Sequence, residues 1–237
     1  MKKFLILDGN NLMFRAYYAL PQLTSFNGEY SNAVFGFTNM MIKMIKELNP
    51  EYIAVTFDVS KKTFRHDVFP EYKGTRKPMP DELRGQFPII KDLLRKMNIE
   101  VVEKESYEAD DLMGALSRKF TETENIIVTA DRDSFQLINE NTSIMFPKKG
   151  VTETIILNEN NLKEFYGVNP NQVIDLKSLM GDSSDNIPGV GGVGEKTALD
   201  LINKYGSLDG VYANINETKG KLHEKLVNDK EKAYLSQ

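Results

Sequence analysis

The sequence predicts an α/β fold with a mostly parallel sheet, and two observations carry that prediction. Short apolar runs rich in β-branched residues end at charged positions, and longer segments with helical spacing lie between them. Continuous apolar runs suit strands covered on both faces, and strands that alternate with helices pair in parallel. Taken in order, Phe4-Leu5-Ile6-Leu7 ends at Asp8 and forms the first strand. The basic start before it meets that charge without a cleavage pattern, so it reads as a strand rather than a signal peptide. Ser31 opens a helix over 31–48 that carries Val34, Phe37, Met41, Met44, Ile45 and Leu48 on one face. Tyr52-Ile53-Ala54-Val55-Thr56-Phe57 is the next strand and ends at Asp58. A helix over 81–97 starts at Asp81 and presents Phe87, Ile90, Leu93, Leu94 and Met97; Ile99-Glu100-Val101-Val102 then runs into a charged turn. Residues 108–120 form a helix with Leu112, Leu116 and Phe120, and Ile126-Ile127-Val128-Thr129-Ala130 is a strand ending at Asp131. Beyond about residue 158 the strands stop. Short helical stretches at 161–166, 171–180 and 195–204 predict a second, all-helical subdomain. In parallel sheets function sits just beyond the carboxyl ends of the strands, where Asp8, Asp58 and Asp131 fall.

Residues 59–80 break the pattern. Pro70, Gly74, Pro78 and Pro80 leave no sustained period, and Lys61, Lys62, Arg65, Lys73, Arg76 and Lys77 face only Asp67 and Glu71. A long irregular segment with aromatics and one-signed charge reads as functional.

Composition narrows the chemistry. A chain of 237 residues makes one large domain, or a domain with an appendage. With no Cys and 2 His, disulfides and Cys-ligated metals are excluded, and a His-based relay has little to work with. No run approaches the ~18 apolar residues of a membrane span, so an intracellular globular protein without a membrane partner is expected. The net charge of -4 counts at first against a nucleic-acid partner.

The acids are the strongest chemical signal. Asp8 and Asp58 at strand ends are followed by Glu108-Ala109-Asp110-Asp111 at a helix start, then by Asp131-Arg132-Asp133 and Asp182-Ser183-Ser184-Asp185. Each group alone has a plainer reading as a helix cap, a stabiliser of the helix dipole or a turn former. As a set they need counter-charge, because unit charges about 4 Å apart repel by several kcal/mol at intermediate dielectric. Oxygen-only ligands select magnesium or manganese over zinc, and more acids than one ion needs point to two. With the nine acids set aside, the rest of the chain is net positive. The acidity is concentrated where metals would neutralise it.

Asn186-Ile187-Pro188-Gly189-Val190-Gly191-Gly192-Val193-Gly194-Glu195-Lys196-Thr197 contains G-x-G-x-x-G without the strand that a dinucleotide site requires, and Glu195 interrupts a Walker loop. It reads better as a hairpin between two helices, with Gly192-Val193-Gly194 as the tight turn. Free amides, the following helix N-terminus, Lys196 and Thr197 would face a phosphate. A purely structural turn is the other reading.

The opening Ile6-Leu7-Asp8-Gly9-Asn10, Phe64-Arg65 with Glu71-Tyr72-Lys73-Gly74-x-Arg76, Glu108-Ala109-Asp110-Asp111 and Gly181–Gly189 resemble, in order, the 5′-nuclease domain of bacterial DNA polymerase I. Its stand-alone and phage 5′–3′ exonuclease relatives, in the flap endonuclease superfamily, share them. The resemblance implies a PIN-like α/β nuclease domain over 1–160 with a helical arch at about 59–85. A helix-hairpin-helix subdomain over 161–237 would bind duplex DNA and be C-terminally short relative to the family. It implies two-metal hydrolysis of DNA at 5′ flaps and 5′ ends in replication and repair, leaving 5′-phosphate and 3′-hydroxyl. Asp8, Asp58, Glu108 and Asp110 would surround the first Mg2+, and Asp111, Asp131, Asp133, Asp182 and Asp185 the second, with Mn2+ as a substitute. K+ would sit at the hairpin. Lys73 and Arg76 would act on the scissile phosphate. Phe14, Arg15, Arg65 and Tyr72 would grip the DNA, a 5′-flap, nicked or 5′-ended duplex, and Lys148-Lys149-Gly150 would form a hairpin tip. A bacterial, cytoplasmic, nucleoid-associated monomer is implied. Ala130 stands where the family usually has glycine, and Gly191 where it has proline. A catalytically weak or silent junction-binding module is the second reading.

Overall fold

The computed structural model describes residues 1–59, 62–147 and 153–237. The chain divides into two compact units, one of residues 1–64 and 78–158, the other of residues 65–77 and 159–237.

The first unit is built on a sheet. The chain runs β1 (Lys2–Asp8), α1 (Gly9–Ala19), α2 (Asn32–Leu48), β2 (Tyr52–Thr56) and, after α3 (Phe64–Val68) at the join, α4 (Asp81–Arg84) and α5 (Gln86–Lys96). It continues with β3 (Glu100–Val102), α6 (Ala109–Lys119), β4 (Thr123–Val128), β5 (Thr142–Pro147) and β6 (Thr154–Leu157). Among the described residues the strand order is β3-β2-β1-β4-β5-β6, parallel except for the β5–β6 pair. The chain steps outward from β1 to β2 and β3, then crosses back to β4 on the other side of β1, so the strand order reverses between β1 and β4, where such sheets open a crevice at their carboxyl ends.

The apolar runs form strands because both of their faces are covered. Leu5, Ile6, Leu7, Val55 and Ile127 are fully buried, and Leu5, Leu7 and Val55 pack with Phe37 and Met41 of α2 and Ile90 and Leu94 of α5. Ser31 makes no side-chain cap for α2; instead Gln86 Oε1 accepts from Ala33 N at 2.8 Å and from Val34 N at 3.2 Å. That buried amide meets the unsatisfied donors of a helix start from a neighbouring helix. The segment expected as one helix over 81–97 is broken at Gly85 into α4 and α5. Strands β5 and β6 were not among the expected apolar runs. The tip expected at Lys148-Lys149-Gly150, and Lys61 of the basic run, lie outside the described residues.

The second unit contains α7 (Leu162–Tyr166), α8 (Val173–Met180), α9 (Glu195–Tyr205), α10 (Leu208–Ala213), α11 (Gly220–Asn228) and α12 (Lys230–Leu235). Leu176, Leu179, Ala198, Ile202, Leu208, Val211 and Leu226 are completely buried in it. Residues 181–194 join α8 to α9, with Gly192 at φ 71° and a turn closed from Val193 N to Val190 O at 2.9 Å. Among the described residues no helix is long and apolar enough to cross a membrane.

Candidate active site

Asp8 closes β1 and caps α1, and its carboxylate accepts from Asn11 N at 2.9 Å and from Thr129 Oγ1 at 2.7 Å. It is 4% exposed. Burial, with the nearby charges of Asp58 and Asp131 adding to it, pushes its carboxyl up to about 6 against the pull of those two hydrogen bonds. Asp58, just past β2, accepts from Ala109 N at 2.7 Å and from Asn10 Nδ2 at 2.8 Å. Asp131, just past β4, accepts from Asp133 N at 2.9 Å and caps a short 3-10 helix over Arg132–Leu137. The strand-end acids therefore lie at the carboxyl edge of the sheet, where Asp58 and Asp131 both raise the proton affinity of Asp8.

Glu108 precedes α6 and is buried, while Asp110 and Asp111 occupy its first turn half-exposed. Asp111 Oδ2 accepts from Glu108 N at 3.0 Å, one arm of a capping box. Asp8, Asp111 and Asp131 each meet backbone amides at a helix start. Phe14 packs on the core and stacks on Tyr18 with ring centroids 6.5 Å apart, and Arg15 is partly buried.

In the second unit Asp185 gathers the basic segment around itself. Arg76 Nε donates to Asp185 Oδ1 at 2.9 Å, Lys73 Nζ lies 3.9 Å from Oδ2, and the Tyr72 hydroxyl donates to Oδ2 at 3.4 Å. The backbones join too, with Lys73 N donating to Asp185 O at 2.8 Å and Asn186 Nδ2 to Glu71 O at 2.8 Å. Lys73 holds φ at 56° and Asn186 at 57°, a left-handed region that costs a lysine more than an asparagine. Tyr72 is buried with its ring edge on His66 at 5.3 Å, and Arg65 is half-buried. Asp182 accepts from Ser184 Oγ at 2.6 Å and from Lys177 Nζ at 3.1 Å. Burial works against its ionisation, but those partners outweigh it and hold its carboxyl below the ordinary value. Gly192 and Gly194 are exposed at the turn with Lys196, Thr197 is half-exposed, and Lys225 Nζ stands 3.5 Å from Gly192 O.

Among the described residues no three Asp, Glu or His side chains are grouped so that they could together hold a metal ion. The carboxylates of Asp8, Asp58, Asp111 and Asp131 are held instead by protein amides and a hydroxyl. Their chemistry nevertheless fits a hard divalent cation: the donors are all oxygen, and Asp8 is buried beside two like charges that such a cation would offset. Sequence reading missed Asn10, Asn11 and Thr129, the neutral residues that hold the acids. The adjacent asparagines in the opening motif were visible, but their partners were not.

Comparison with known proteins identifies the family of the chain. Residues 3–167 match the family model of the 5′–3′ exonuclease N-terminal resolvase-like domain, and residues 168–237 that of the 5′–3′ exonuclease C-terminal SAM fold. The chain is 42% identical over 238 residues to DNA polymerase I of Caldicellulosiruptor bescii, covering 99% of this chain and 28% of that protein. It is 43% identical over 238 residues to DNA polymerase I of Bacillus subtilis, covering 99% of this chain and 27% of that protein. The chain thus spans little more than a quarter of the curated relatives it matches. Among solved structures, the bacteriophage T5 5′-exonuclease with divalent metal ions (zinc) bound matches with a TM-score of 0.79 and 25% identity, covering 99% of this chain and 88% of that one. The T5 flap endonuclease in complex with DNA and metal ions matches with a TM-score of 0.80 and 23% identity, covering 99% and 87%, and it supports the fold.

Proposed function

The chain belongs to the 5′–3′ exonuclease family, and from that premise we propose that it is a structure-specific 5′ nuclease acting on DNA. Its substrates are 5′ flaps and 5′ ends, and its products carry 5′-phosphate and 3′-hydroxyl termini. The observation that carries this reading is the acid set at the carboxyl edge of the sheet, with Asp8 buried against the charges of Asp58 and Asp131.

When bound, Mg2+-type cations supply positive charge and Lewis acidity to phosphodiester hydrolysis. In the first unit Asp8, Asp58, Glu108, Asp110, Asp111, Asp131 and Asp133 are the residues that would hold them. Strand ends and a helix start suit that task, because backbone and capping bonds fix the Asp8, Asp58, Asp111 and Asp131 carboxylates before substrate arrives. In the second unit Asp182 and Asp185 are assigned as further ligands by family resemblance, and K+ at the turn likewise. Lys73 and Arg76 offset charge that builds on the scissile phosphate. Their shared anchor, Asp185, holds both cations on one short segment. The backbone of the exposed Gly192 and Gly194, with Lys196 and Thr197, binds a duplex phosphate at the start of α9. Phe14, Arg15, Arg65 and Tyr72 contribute to holding the junction.

The experiment compares wild type, Asp110→Ala and Lys73→Ala on a 5′-flap duplex with and without Mg2+. Cleavage that needs Mg2+ and is lost in both variants supports the proposal. Metal-independent cleavage, or full activity in both variants, sinks it. Tight flap binding in Ca2+ with no turnover in Mg2+ supports a silent junction-binding module instead.

A further inference from the structure

The order β3-β2-β1-β4 gives the loop leaving β1 a strand end on each side. Two consecutive asparagines fill the first turn of the helix that follows, and they reach in opposite directions. Asn10 turns toward β2: its Nδ2 donates to Asp58 Oδ2 at 2.8 Å, and its Oδ1 accepts from Asp58 N at 3.1 Å. Asn11 turns toward β4: its Oδ1 accepts from Ala130 N at 3.1 Å, while its own backbone amide donates to Asp8 Oδ1 at 2.9 Å. Successive helical residues point about 100° apart, so one turn can serve both neighbours.

We infer that Asn10 and Asn11 are positioning residues that set the spacing of Asp8, Asp58 and Asp131 for a divalent cation. The inference rests on the nuclease reading and deepens it. The three strand ends carry like charges and tend to separate. Each asparagine opposes that by gripping backbone: Asn10 binds the amide of Asp58 itself, and Asn11 binds the amide immediately before Asp131. A carboxamide is the suitable side chain. It offers donor and acceptor without charge, whereas serine is too short to span the gap and aspartate would add a further repulsion. Thr129 completes the arrangement, donating to Asp8 and accepting from Asp131 N at 3.0 Å.

The test is a calorimetric titration of Mn2+ into DNA-free wild type, Asn10→Ser, Asn11→Ser and Asn203→Ser. Asn203 donates to Gly167 O at 2.9 Å and to Leu199 O at 3.0 Å in the second unit, so it controls for the general loss of an asparagine bridge. Each titration is run below the variant's melting temperature in chelator, so folded proteins are compared. Asn10→Ser and Asn11→Ser should each bind Mn2+ about 10- to 100-fold more weakly, the usual effect of losing a residue that orients a ligand, while Asn203→Ser binds as wild type. Affinities of both site variants within about twofold of wild type overturn the inference alone, since losses from orienting residues are larger than that. A wild type that binds no Mn2+ overturns the nuclease reading and the inference with it.

Discussion

Arg76 and Asp185 form a side-on pair in which the guanidinium donates from both Nε and Nη2 to Asp185 Oδ1. The carboxylate is far less exposed than its partner, at 12% against 50%, so the arginine shields a nearly buried charge. The pair therefore ties a basic residue of the irregular segment to the turn that follows α8.

A double-mutant cycle on this pair measures that tie. Arg76→Ala and Asp185→Ala should be non-additive in urea denaturation, with a coupling of about 1 kcal/mol once solvent screening at the exposed arginine is allowed for. Additive effects would show that the pair contributes no stability. Added salt should weaken the coupling but leave the Lys73 N to Asp185 O backbone bond in place.

Asp8 predicts how stability varies with pH. Its folded-state carboxyl, at about 6, lies above its ordinary value of 3.8, so between those pH values the folded chain holds a proton that the unfolded chain has lost. Stability should fall as pH rises through that window, and above it Asp8 costs about 3 kcal/mol in metal-free protein. Asp8→Asn keeps a capping side chain and should raise the melting temperature at pH 7.5 in chelator while flattening the pH profile. Adding Mg2+ should stabilise wild type and leave the variant nearly unchanged. Equal melting temperatures in chelator would contradict this account of the buried carboxylate.

Glycines in the α8–α9 connection should separate into structural and functional ones. A Cβ on Gly189 would overlap the backbone of Met180 and Gly181, whereas one on Gly194 meets nothing within 4 Å. Gly189→Ala should therefore destabilise by several kcal/mol, as forced overpacking against backbone does. Gly194→Ala, at a helix N-cap that prefers glycine to alanine, should cost less, about 1 kcal/mol. Duplex affinity of Gly194→Ala then reports on phosphate contact at the turn. Wild-type affinity in that folded variant would argue for a turn with no DNA role.

How far the sequence was legible depends on whether a feature is local. Strands β1, β2 and β4 could be read because each is a continuous apolar run stopped by a charge or small polar residue, and α2 because its apolar stripe keeps helical spacing. Strand β5 was harder: Ile144-Met145-Phe146 is short and is flanked by polar residues, so no periodicity marks it. The break at Gly85 was hidden because Phe87, Ile90 and Leu94 continue the apolar stripe. The strand-end acids were visible as residues. Their mutual influence depends on the sheet order, which places β2 and β4 on either side of β1. The same order gives Asn10 and Asn11 their partners, so neither could be assigned from the sequence. The link from Asp185 to Arg76 crosses 109 residues and leaves no local trace.

The central claim is that the carboxylates at the sheet edge work through a divalent cation on DNA. Single-turnover cleavage of a 5′-labelled flap duplex, in Mg2+ and in chelator, for wild type and Asp58→Ala tests it most directly. The account predicts Mg2+-dependent cleavage that falls by on the order of 10²-fold or more in Asp58→Ala, as loss of a group that organises transition-state charge does. Cleavage by wild type in chelator, or an Asp58→Ala variant as fast as wild type, would contradict it.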